Sequence, residues 1–188
     1  MSKFILIYAH PRHDGHCAYL LSVIEKLLKE RNESYELLDL YQMNYNPVLT
    51  AEELQGEISP ENKIIQTKIS DSQYLIFIYP TCWQNMPAIL KGFVDRVFSR
   101  GFAFKYENSF PVGLLKGHKA VVFTSTGAPK FINLLLNRRR SLKVLVKDTL
   151  SFCGIKTRGF SIGSARKMAE SKKLEIGLVA EAMLDFLK

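Results

Sequence analysis

Residues Tyr79 to Phe104 read YPTCWQNMPAILKGFVDRVFSRGFAF, and this stretch decides the fold. It follows an apolar run, Tyr74 to Ile78, that is short, rich in β-forming residues and without polar alternation, which is typical of a buried strand in a parallel sheet. Apolar residues then recur at helical spacing from Ala88 to Ser99, which predicts a helix with one buried face. The loop around Trp83 therefore lies at a sheet edge where open α/β proteins bind ligands.

The length and composition are those of a globular protein. The chain has 188 residues, of which 47% are hydrophobic and 23% charged. We expect a single domain over residues 1–188, because this length buries a substantial core without a second domain. No run of about 18 apolar residues could span a membrane, and the apolar segment Phe4 to Tyr8 is too short for a signal peptide. The sequence therefore predicts a cytoplasmic protein.

The cysteines and the net charge limit which metals and which classes of partner the protein can bind. The three cysteines, Cys17, Cys82 and Cys153, are widely separated and contain no Cys-x-x-Cys pair, so we expect reduced thiols and no structural zinc site. The formal net charge of +8 favours anionic partners such as phosphorylated cofactors, nucleic acid or acidic lipid. We interpret the basic run Arg138 to Arg140 as a solvated helix face, and we predict no nucleic-acid partner.

Five β-like runs alternate with helical segments along the chain. This alternation predicts an α/β fold in which helices cover both faces of a parallel sheet. The simplest arrangement is a flavodoxin-like three-layer sandwich with a five-stranded parallel sheet of order 2-1-3-4-5. The predicted strands are Phe4–Tyr8, Ser34–Leu40, Tyr74–Ile78, Lys119–Thr124 and Thr157–Ile162, and the predicted helices are Ala18–Glu30, Pro60–Ser70, Ala88–Ser99, Phe131–Phe152 and Lys167–Phe186.

In this order the winding reverses beside the first strand, so the loops after strands 1, 3 and 4 converge on one crevice. These loops are Ala9–His16, Pro80–Met86 and Ser125–Asn133. They interrupt the apolar pattern with small, hydroxyl or aromatic residues, and we expect the functional site there. A further connection, Gly101–Gly117, is rich in aromatics, Gly and Pro and is predicted to be long and irregular.

The first of these loops enters a helix N-terminus, where backbone N–H groups and the helix dipole favour a phosphate. Gly15 would let the backbone approach closely, and His10, His13 and His16 can each donate to a phosphate oxygen. A single phosphate is favoured, because no dinucleotide or Walker signature is present. Two alternatives stay open: the histidines are solvated loop residues, or they bind a metal, which their spacing and Pro11 disfavour.

The other two loops suit a planar cofactor. Thr81, Cys82 and Trp83 can supply apolar contact and backbone N–H groups for atoms that become negative on reduction. The segment Ser125-Thr126-Gly127-Ala128 can line the opposite edge with hydroxyls and close backbone. The alternatives are that Trp83 belongs to the core and that the second segment is a tight turn. Cys82 has no visible base partner and is not predicted to be a nucleophile.

Three groups of motifs are characteristic of one family. They are Ala9-His10-Pro11 after the first strand; Pro80-Thr81-Cys82-Trp83, Pro87-Ala88-Ile89-Leu90-Lys91-Gly92-Phe93 and Asp95-Arg96-Val97-Phe98 after the third; and Leu115-Lys116-Gly117-His118-Lys119 with Ser125-Thr126-Gly127-Ala128 around the fourth. On these motifs, which span most of residues 4–128, the chain resembles the flavodoxin-like NAD(P)H:quinone oxidoreductases. That family includes small bacterial members that act as ancillary subunits of potassium efflux systems.

The resemblance implies a homodimeric flavoprotein that takes hydride from NADPH or NADH and passes two electrons to a quinone or similar acceptor by a ping-pong mechanism. Carried over residue by residue, it implies His10 at the flavin phosphate, Pro80 to Trp83 along the isoalloxazine ring and Ser125 to Ala128 at its pyrimidine end. The aromatic connection Phe102–Tyr106 would contribute to a dimer-lined active site. FMN is favoured over FAD, because the chain lacks the C-terminal extension of the longer FAD members.

The chain departs from the family pattern at three points. Gly15, His16, Cys17 and Ala18 occupy the region where the family usually carries Ser or Thr followed by Asn; Cys82 replaces Gln or Met; and Gly127-Ala128 replaces Gly-Gly. The Tyr and His that assist hydride transfer in the longer mammalian members have no counterpart after Pro129, so no catalytic residue is predicted. A second hypothesis is a regulatory module that docks on a membrane transporter and uses the flavin as a sensor.

Overall fold

The computed structural model describes residues 2–129, 140–165 and 168–188, and its centre is a parallel sheet of five strands. The order across this sheet is 2-1-3-6-7, with the remaining two strands paired in a separate hairpin. Setting the hairpin aside, this is the predicted order 2-1-3-4-5. The strands are β1 (Phe4–Tyr8), β2 (Tyr35–Asp39), β3 (Tyr74–Pro80), β4 (Phe104–Glu107), β5 (Phe110–Gly113), β6 (Lys119–Ser125) and β7 (Lys156–Ile162).

Helices cover both faces of the sheet, as the apolar runs predict. Side chains alternate across each strand, so in β1 Ile5 and Ile7 join one buried cluster while Leu6 and Tyr8 join the other. The two clusters make the molecule a three-layer sandwich. The helices are α1 (Gly15–Glu30), α2 (Ala51–Leu54), α3 (Pro60–Asp71), α4 (Ala88–Val97), α5 (Arg140–Lys143), its continuation as a π-helix (Val144–Ser151), and α6 (Glu170–Leu187).

Several predicted boundaries were wrong by a few residues. Helix α1 begins at Gly15 and not at Ala18, because Asp14 takes the extended conformation of an N-cap directly before the glycine. Helix α6 begins at Glu170, whereas the predicted start at Lys167 lies outside the described residues. The predicted helix over 131–152 is described only from Arg140 onward, where it is helical to Ser151.

The connection Gly101–Gly117 is not irregular as predicted, because it contains the antiparallel hairpin β4–β5. Its turn is Asn108-Ser109, and both residues have positive φ angles, 50° and 67°. This is the backbone of a two-residue hairpin turn, which glycine usually supplies. The ring of Phe104 packs edge-on against Phe152 with centroids 5.3 Å apart, so the hairpin is anchored to the chain that follows the π-helix.

Helix α2 lies in residues 41–56, a stretch to which the sequence analysis assigned no element. Thr50 and Glu53 form a capping box, in which each side chain bonds the backbone N–H of the other. The Glu53 carboxylate is buried and accepts hydrogen bonds from Arg96 Nε at 2.7 Å and from Arg96 Nη2 at 2.9 Å. Asn62 Nδ2 donates to the same carboxylate at 3.0 Å, and the Tyr45 hydroxyl donates to Asn62 Oδ1 at 2.9 Å. This network joins α2, α3 and α4.

The network makes stability depend on pH. Hydrogen bonds from Arg96 hold the pKa of the Glu53 carboxyl below its ordinary value of 4.5. A folded-state pKa below the unfolded-state value stabilises the fold above the unfolded-state pKa, and this stabilisation is lost as pH falls through the folded-state pKa. We therefore expect Glu53→Gln to lower the free energy of unfolding more at about pH 7 than at about pH 3.

Urea unfolding of both proteins at the two pH values measures this difference. The matched control is Glu57→Gln, because Glu57 is exposed and lies just beyond the end of α2. It should leave the free energy of unfolding nearly unchanged at both pH values. A cost for Glu53→Gln that does not vary with pH would contradict the assignment of a charged Glu53 in the fold.

Candidate functional site

The loops after β1, β3 and β6 lie together at the carboxyl edge of the sheet, as predicted. Thr81 N donates to the carbonyl of Ser125 at 2.8 Å, and the hydroxyls of Thr81 and Thr124 are 2.8 Å apart. Cys17 Sγ lies 3.3 Å from Ser125 Oγ. Ser125 at the end of β6 therefore contacts both the first turn of α1 and the loop that follows Pro80.

The loop after β1 is held by bonds within itself. The buried Tyr8 hydroxyl donates to the carbonyl of Arg12 at 2.7 Å, and Arg12 N donates to His10 Nδ1 at 3.0 Å. Burial is the main cause that lowers the pKa of His10 below 6.5, so its ring is neutral at pH 7. Because Nδ1 accepts a bond, the proton of the neutral ring is on Nε2. His10 can therefore donate one hydrogen bond to a ligand.

The start of α1 is open to an anion. Asp14 occupies the N-cap, but its side chain makes no capping bond and lies 3.0 Å from Arg12 Nε instead. Gly15 has a φ of +85°, and a Cβ there would meet nothing within 4 Å. The Asp14 carboxylate therefore does not cap the main-chain N–H groups of the first turn and pairs with the Arg12 guanidinium at the surface instead.

The other two histidines have different surroundings. His13 Nε2 lies 2.9 Å from Asp39 Oδ2 at the end of β2, and its ring lies 5.3 Å from that of Tyr8. His16 is buried in the first turn of α1. In the described parts of the chain no three His, Cys, Asp or Glu side chains are arranged to hold a metal ion. His10 offers its Nε2 proton to a ligand, whereas His13 lies against Asp39 and His16 is buried.

Cys17 is a buried thiol beneath this loop. Burial raises its pKa to about 12, so it stays protonated at neutral pH. Its contact with Ser125 joins the first turn of α1 to the end of β6. The side chain therefore positions the loop and brings no charge to it.

The Trp83 loop is a tight two-residue turn. Cys82 and Asn85 exchange both backbone N–H···O bonds at 2.9 Å, and the two residues between them, Trp83 and Gln84, have φ angles of 49° and 60°. Left-handed backbone at a non-glycine residue costs about 1–3 kcal/mol and is concentrated at functional sites. The Trp83 side chain is 101% exposed, which excludes the alternative that it belongs to the core.

Cys82 remains an ordinary thiol at the base of this turn. Burial of the sulfur raises its pKa above 9.0. No described hydrogen bond brings a histidine or carboxylate to the sulfur. A thiol with a raised pKa is a poor nucleophile at neutral pH, and the absence of a catalytic role for Cys82 stays a prediction.

The loop after β6 is a turn with an open face. Ala128 N donates to Thr126 Oγ1 at 3.3 Å, and Ser164 N donates to the Ala128 carbonyl at 2.9 Å. Gly127 is exposed, and a Cβ built there would meet nothing within 4 Å. The protein itself therefore leaves room beside Gly127, on the same edge of the sheet as Thr81.

A second wall faces the Trp83 turn and was missed by the sequence analysis. The Tyr79 hydroxyl donates to the Ser141 carbonyl at 2.5 Å and thereby fixes α5 beside the end of β3. Between them is a cleft of about 590 Å³, the Trp83 cleft, lined by Trp83, Gln84, Asn85, Arg140, Lys143, Val144 and Asp148. In the sequence, the feature that could have indicated this wall is the basic run ending at Arg140, which the sequence analysis interprets as a solvated helix face. Arg138 and Arg139 lie outside the described residues.

None of the helices in the described parts of the chain is long and apolar enough to cross a membrane. The family model with the flavodoxin-like fold matches residues 2–182. A Haemophilus influenzae protein named as an uncharacterized NAD(P)H oxidoreductase is 36% identical over 168 residues, which cover 84% of this chain and 81% of that protein.

Two solved structures have similar backbones. An NAD(P)H:quinone oxidoreductase from Methanothermobacter marburgensis is 25% identical with a TM-score of 0.84, covering 97% of this chain and 95% of its own. An FMN-dependent NADH-azoreductase from Bacillus anthracis, solved in complex with FMN, is 21% identical with a TM-score of 0.77 over 100% of both chains, and it shares the fold. The chain therefore belongs to the family with the flavodoxin-like fold, and its resemblance to the NAD(P)H:quinone oxidoreductases is confirmed.

Proposed function

We propose that the protein is an FMN-dependent NAD(P)H oxidoreductase that passes two electrons to a quinone or similar small acceptor by a ping-pong mechanism. The observation that carries this proposal is the convergence of three ligand-suited loops on Ser125, through its contacts with Thr81 and Cys17. The names of the relatives support the reaction class. The FMN bound to the azoreductase of the same fold supports the cofactor.

The first loop fits a single phosphate. It combines a helix N-terminus without a side-chain cap, a glycine with positive φ and His10 with its proton on Nε2. The residues that would hold the phosphate are His10 and the main chain of Gly15, His16 and Cys17. A phosphate bound there would favour the protonated ring, so it would raise the pKa of His10.

The second and third loops fit a planar ring. Pro80, Thr81, Cys82 and Trp83 would lie along the isoalloxazine, and Ser125, Thr126, Gly127 and Ala128 at its pyrimidine end. The open space beside Gly127 and the fully exposed indole of Trp83 leave these surfaces free for a ligand. The positive φ angles at Trp83 and Gln84 set the main chain of the turn, and with it the direction of the Trp83 Cα–Cβ bond, before a ligand binds.

A bound flavin supplies the hydride chemistry, since it accepts two electrons from a nicotinamide and passes them to a second substrate. The chain contributes orientation and uncharged contacts. Burial raises the pKa of the Cys17 thiol to about 12 and also raises the pKa values of Cys82 and Tyr8. These groups therefore keep their protons near pH 7, and they shape the site without adding charge to it.

We also propose a cytoplasmic homodimer in which the β4–β5 hairpin contributes to the active site of the dimer. The hairpin carries exposed aromatic side chains, with Tyr106 at 52% and Phe110 at 74% exposure. Because Tyr106 pairs with Pro111 and Phe110 pairs with Glu107, the two rings lie on opposite faces of the hairpin, and each face offers apolar surface to a partner protomer. Sedimentation or light scattering at several protein concentrations tests this assembly.

Steady-state kinetics test the reaction. Initial rates of NADPH and NADH oxidation are measured with menadione at several fixed concentrations, using protein saturated with FMN. Ping-pong turnover predicts parallel lines in a double-reciprocal plot, because the donor leaves before the acceptor binds. Intersecting lines would contradict the ping-pong mechanism, and the absence of turnover with any quinone would favour a regulatory module that docks on a membrane transporter.

Trp83→Ala is expected to weaken FMN binding about 10-fold while leaving the thermal unfolding midpoint unchanged. The substitution removes contact area for the ring, but the side chain is fully exposed and contributes nothing to the core. Titration of FMN fluorescence against each protein measures the affinity.

Two further variants serve as controls for Trp83→Ala. Trp83→Phe should recover part of the affinity, since it restores an aromatic surface. Leu174→Ala removes an apolar side chain that is 69% exposed on α6, and it should change nothing. Unaltered FMN affinity in Trp83→Ala would place the cofactor away from this turn.

A further inference from the structure

We propose that the Trp83 cleft selects aromatic acceptors that carry an acidic group, such as a sulfonate or carboxylate. The acceptor ring lies against the part of Trp83 that lines the cleft, beside the flavin, and the anion lies against Arg140 and Lys143. This inference rests on the proposed function, because it names the class of acceptor for that site. It follows from an aromatic surface and two cationic side chains that line the same cleft.

One wall of the cleft is an aromatic surface held ready for a planar ligand. The indole of Trp83 is 101% exposed, and its main chain is fixed by the paired bonds between Cys82 and Asn85. Such a ring offers a large face for offset stacking at little conformational cost. Gln84 and Asn85 on the same wall add side-chain amides that can bond a quinone oxygen.

The opposite wall is cationic. Arg140 and Lys143 are three residues apart on α5, so their side chains leave the helix on the same face. Both are exposed, and neither has an ion-pair partner among the residues that the structure describes. The helix under them is anchored by the buried Leu142 and by the Tyr79–Ser141 bond. Their charges are therefore available to a ligand in the cleft.

Charge and size together define the ligand class. Among the described residues, the lining contains two cationic side chains and one carboxylate, Asp148, so it favours an anion on the α5 side. The volume of about 590 Å³ falls within the range of small-molecule sites and accommodates fused rings. A two- or three-ring quinone with an acidic substituent can place its ring against Trp83 and its anion beside Arg140 and Lys143.

Isothermal titration calorimetry on the full chain saturated with FMN tests this assignment. The probes are anthraquinone-2-sulfonate and its neutral 2-hydroxymethyl analogue, which share the ring system and differ in charge. We expect the sulfonate to bind about 3–10-fold more tightly.

Single substitutions in the lining test which cationic side chains bind the anion. Lys143→Gln and Arg140→Gln should each weaken sulfonate binding about 3–10-fold and leave the neutral analogue unchanged. Asp148→Asn should strengthen it. The matched control is Lys147→Gln, which removes the same charge from an exposed position on the same helix that does not line the cleft.

Three outcomes would overturn the assignment: equal affinity for the two probes, equal effects of Lys143→Gln and Lys147→Gln, or a raised KM for NADPH in Lys143→Gln with unchanged sulfonate binding. The last result would show that Lys143 binds a phosphate of NADPH and not the anion of the acceptor. Turnover of a neutral quinone by the same variants reports on the proposed function separately. If the unmodified protein does not turn over a neutral quinone, the proposed oxidoreductase function is contradicted. If it does, but shows no preference for the sulfonate, only the assignment of the Trp83 cleft is overturned.

Discussion

Replacing Arg96 by methionine is expected to lower the free energy of unfolding by about 3–5 kcal/mol, because the variant leaves a buried carboxylate without its partner. Arg96 holds Glu53 through two bonds of 2.7 and 2.9 Å, and its remaining nitrogen donates to the carbonyl of Asn46. Its guanidinium also lies 5.3 Å from the ring centroid of Tyr45. The methionine would fill part of the space but satisfy none of these polar groups.

The effect is measured by urea unfolding at pH 7 and compared with Lys91→Met on the same helix. Lys91 pairs with Asp95 at the surface, so its loss should cost no more than about 0.5 kcal/mol. Adding Glu53→Gln to Arg96→Met should recover part of the loss, since the unpaired charge is removed. A cost below about 1 kcal/mol for Arg96→Met would show that the network is not the connection between α2 and α4.

Gly127→Val is expected to weaken FMN binding about 100-fold, or about 2.7 kcal/mol, and to leave the free energy of unfolding within about 0.5 kcal/mol of the parent protein. A Cβ at this position meets nothing in the protein itself, so the fold has room for the added side chain. Gly127 also has no positive φ that would strain a valine. The crowding is therefore confined to a ligand that lies against the loop.

The control for this variant is Gly177→Val on α6, where a Cβ also meets nothing within 4 Å. It makes the same chemical change on the α1–α6 side of the molecule and should leave FMN affinity unaltered. Fluorescence titration with FMN and urea unfolding are measured on both proteins. Normal FMN affinity in Gly127→Val would move the ring away from the loop after β6, whereas lost stability would mean that the fold itself needs the glycine.

The parallel sheet was predictable because burial on both faces leaves a simple signal. The runs that became β1 and β3 are short and almost wholly apolar, and the residues of α4 repeat at helical spacing. The hairpin was missed because its turn uses Asn108 and Ser109, without the glycine that usually marks such a turn. Helix α2 was missed because it is only four residues long, although its capping box was present in the sequence.

The candidate site was predicted through its loops, and its opposite wall was not. Topology alone brings the ends of β1, β3 and β6 to one edge, and the contacts of Ser125 agree with that expectation. The turn at Trp83 depends on positive φ at two non-glycine residues, which no local preference predicts. The cationic face of α5 depends on the bond from Tyr79 to Ser141, a contact between residues far apart in the sequence.

An absorbance spectrum of the freshly purified protein, with the released cofactor identified after heat denaturation, tests the central claim most directly. We expect bands at about 370 and 450 nm that bleach when NADPH or NADH is added, as is typical of a bound oxidised flavin. We also expect the released cofactor to be FMN. A colourless protein that does not bind added FMN would contradict the account and favour the regulatory module.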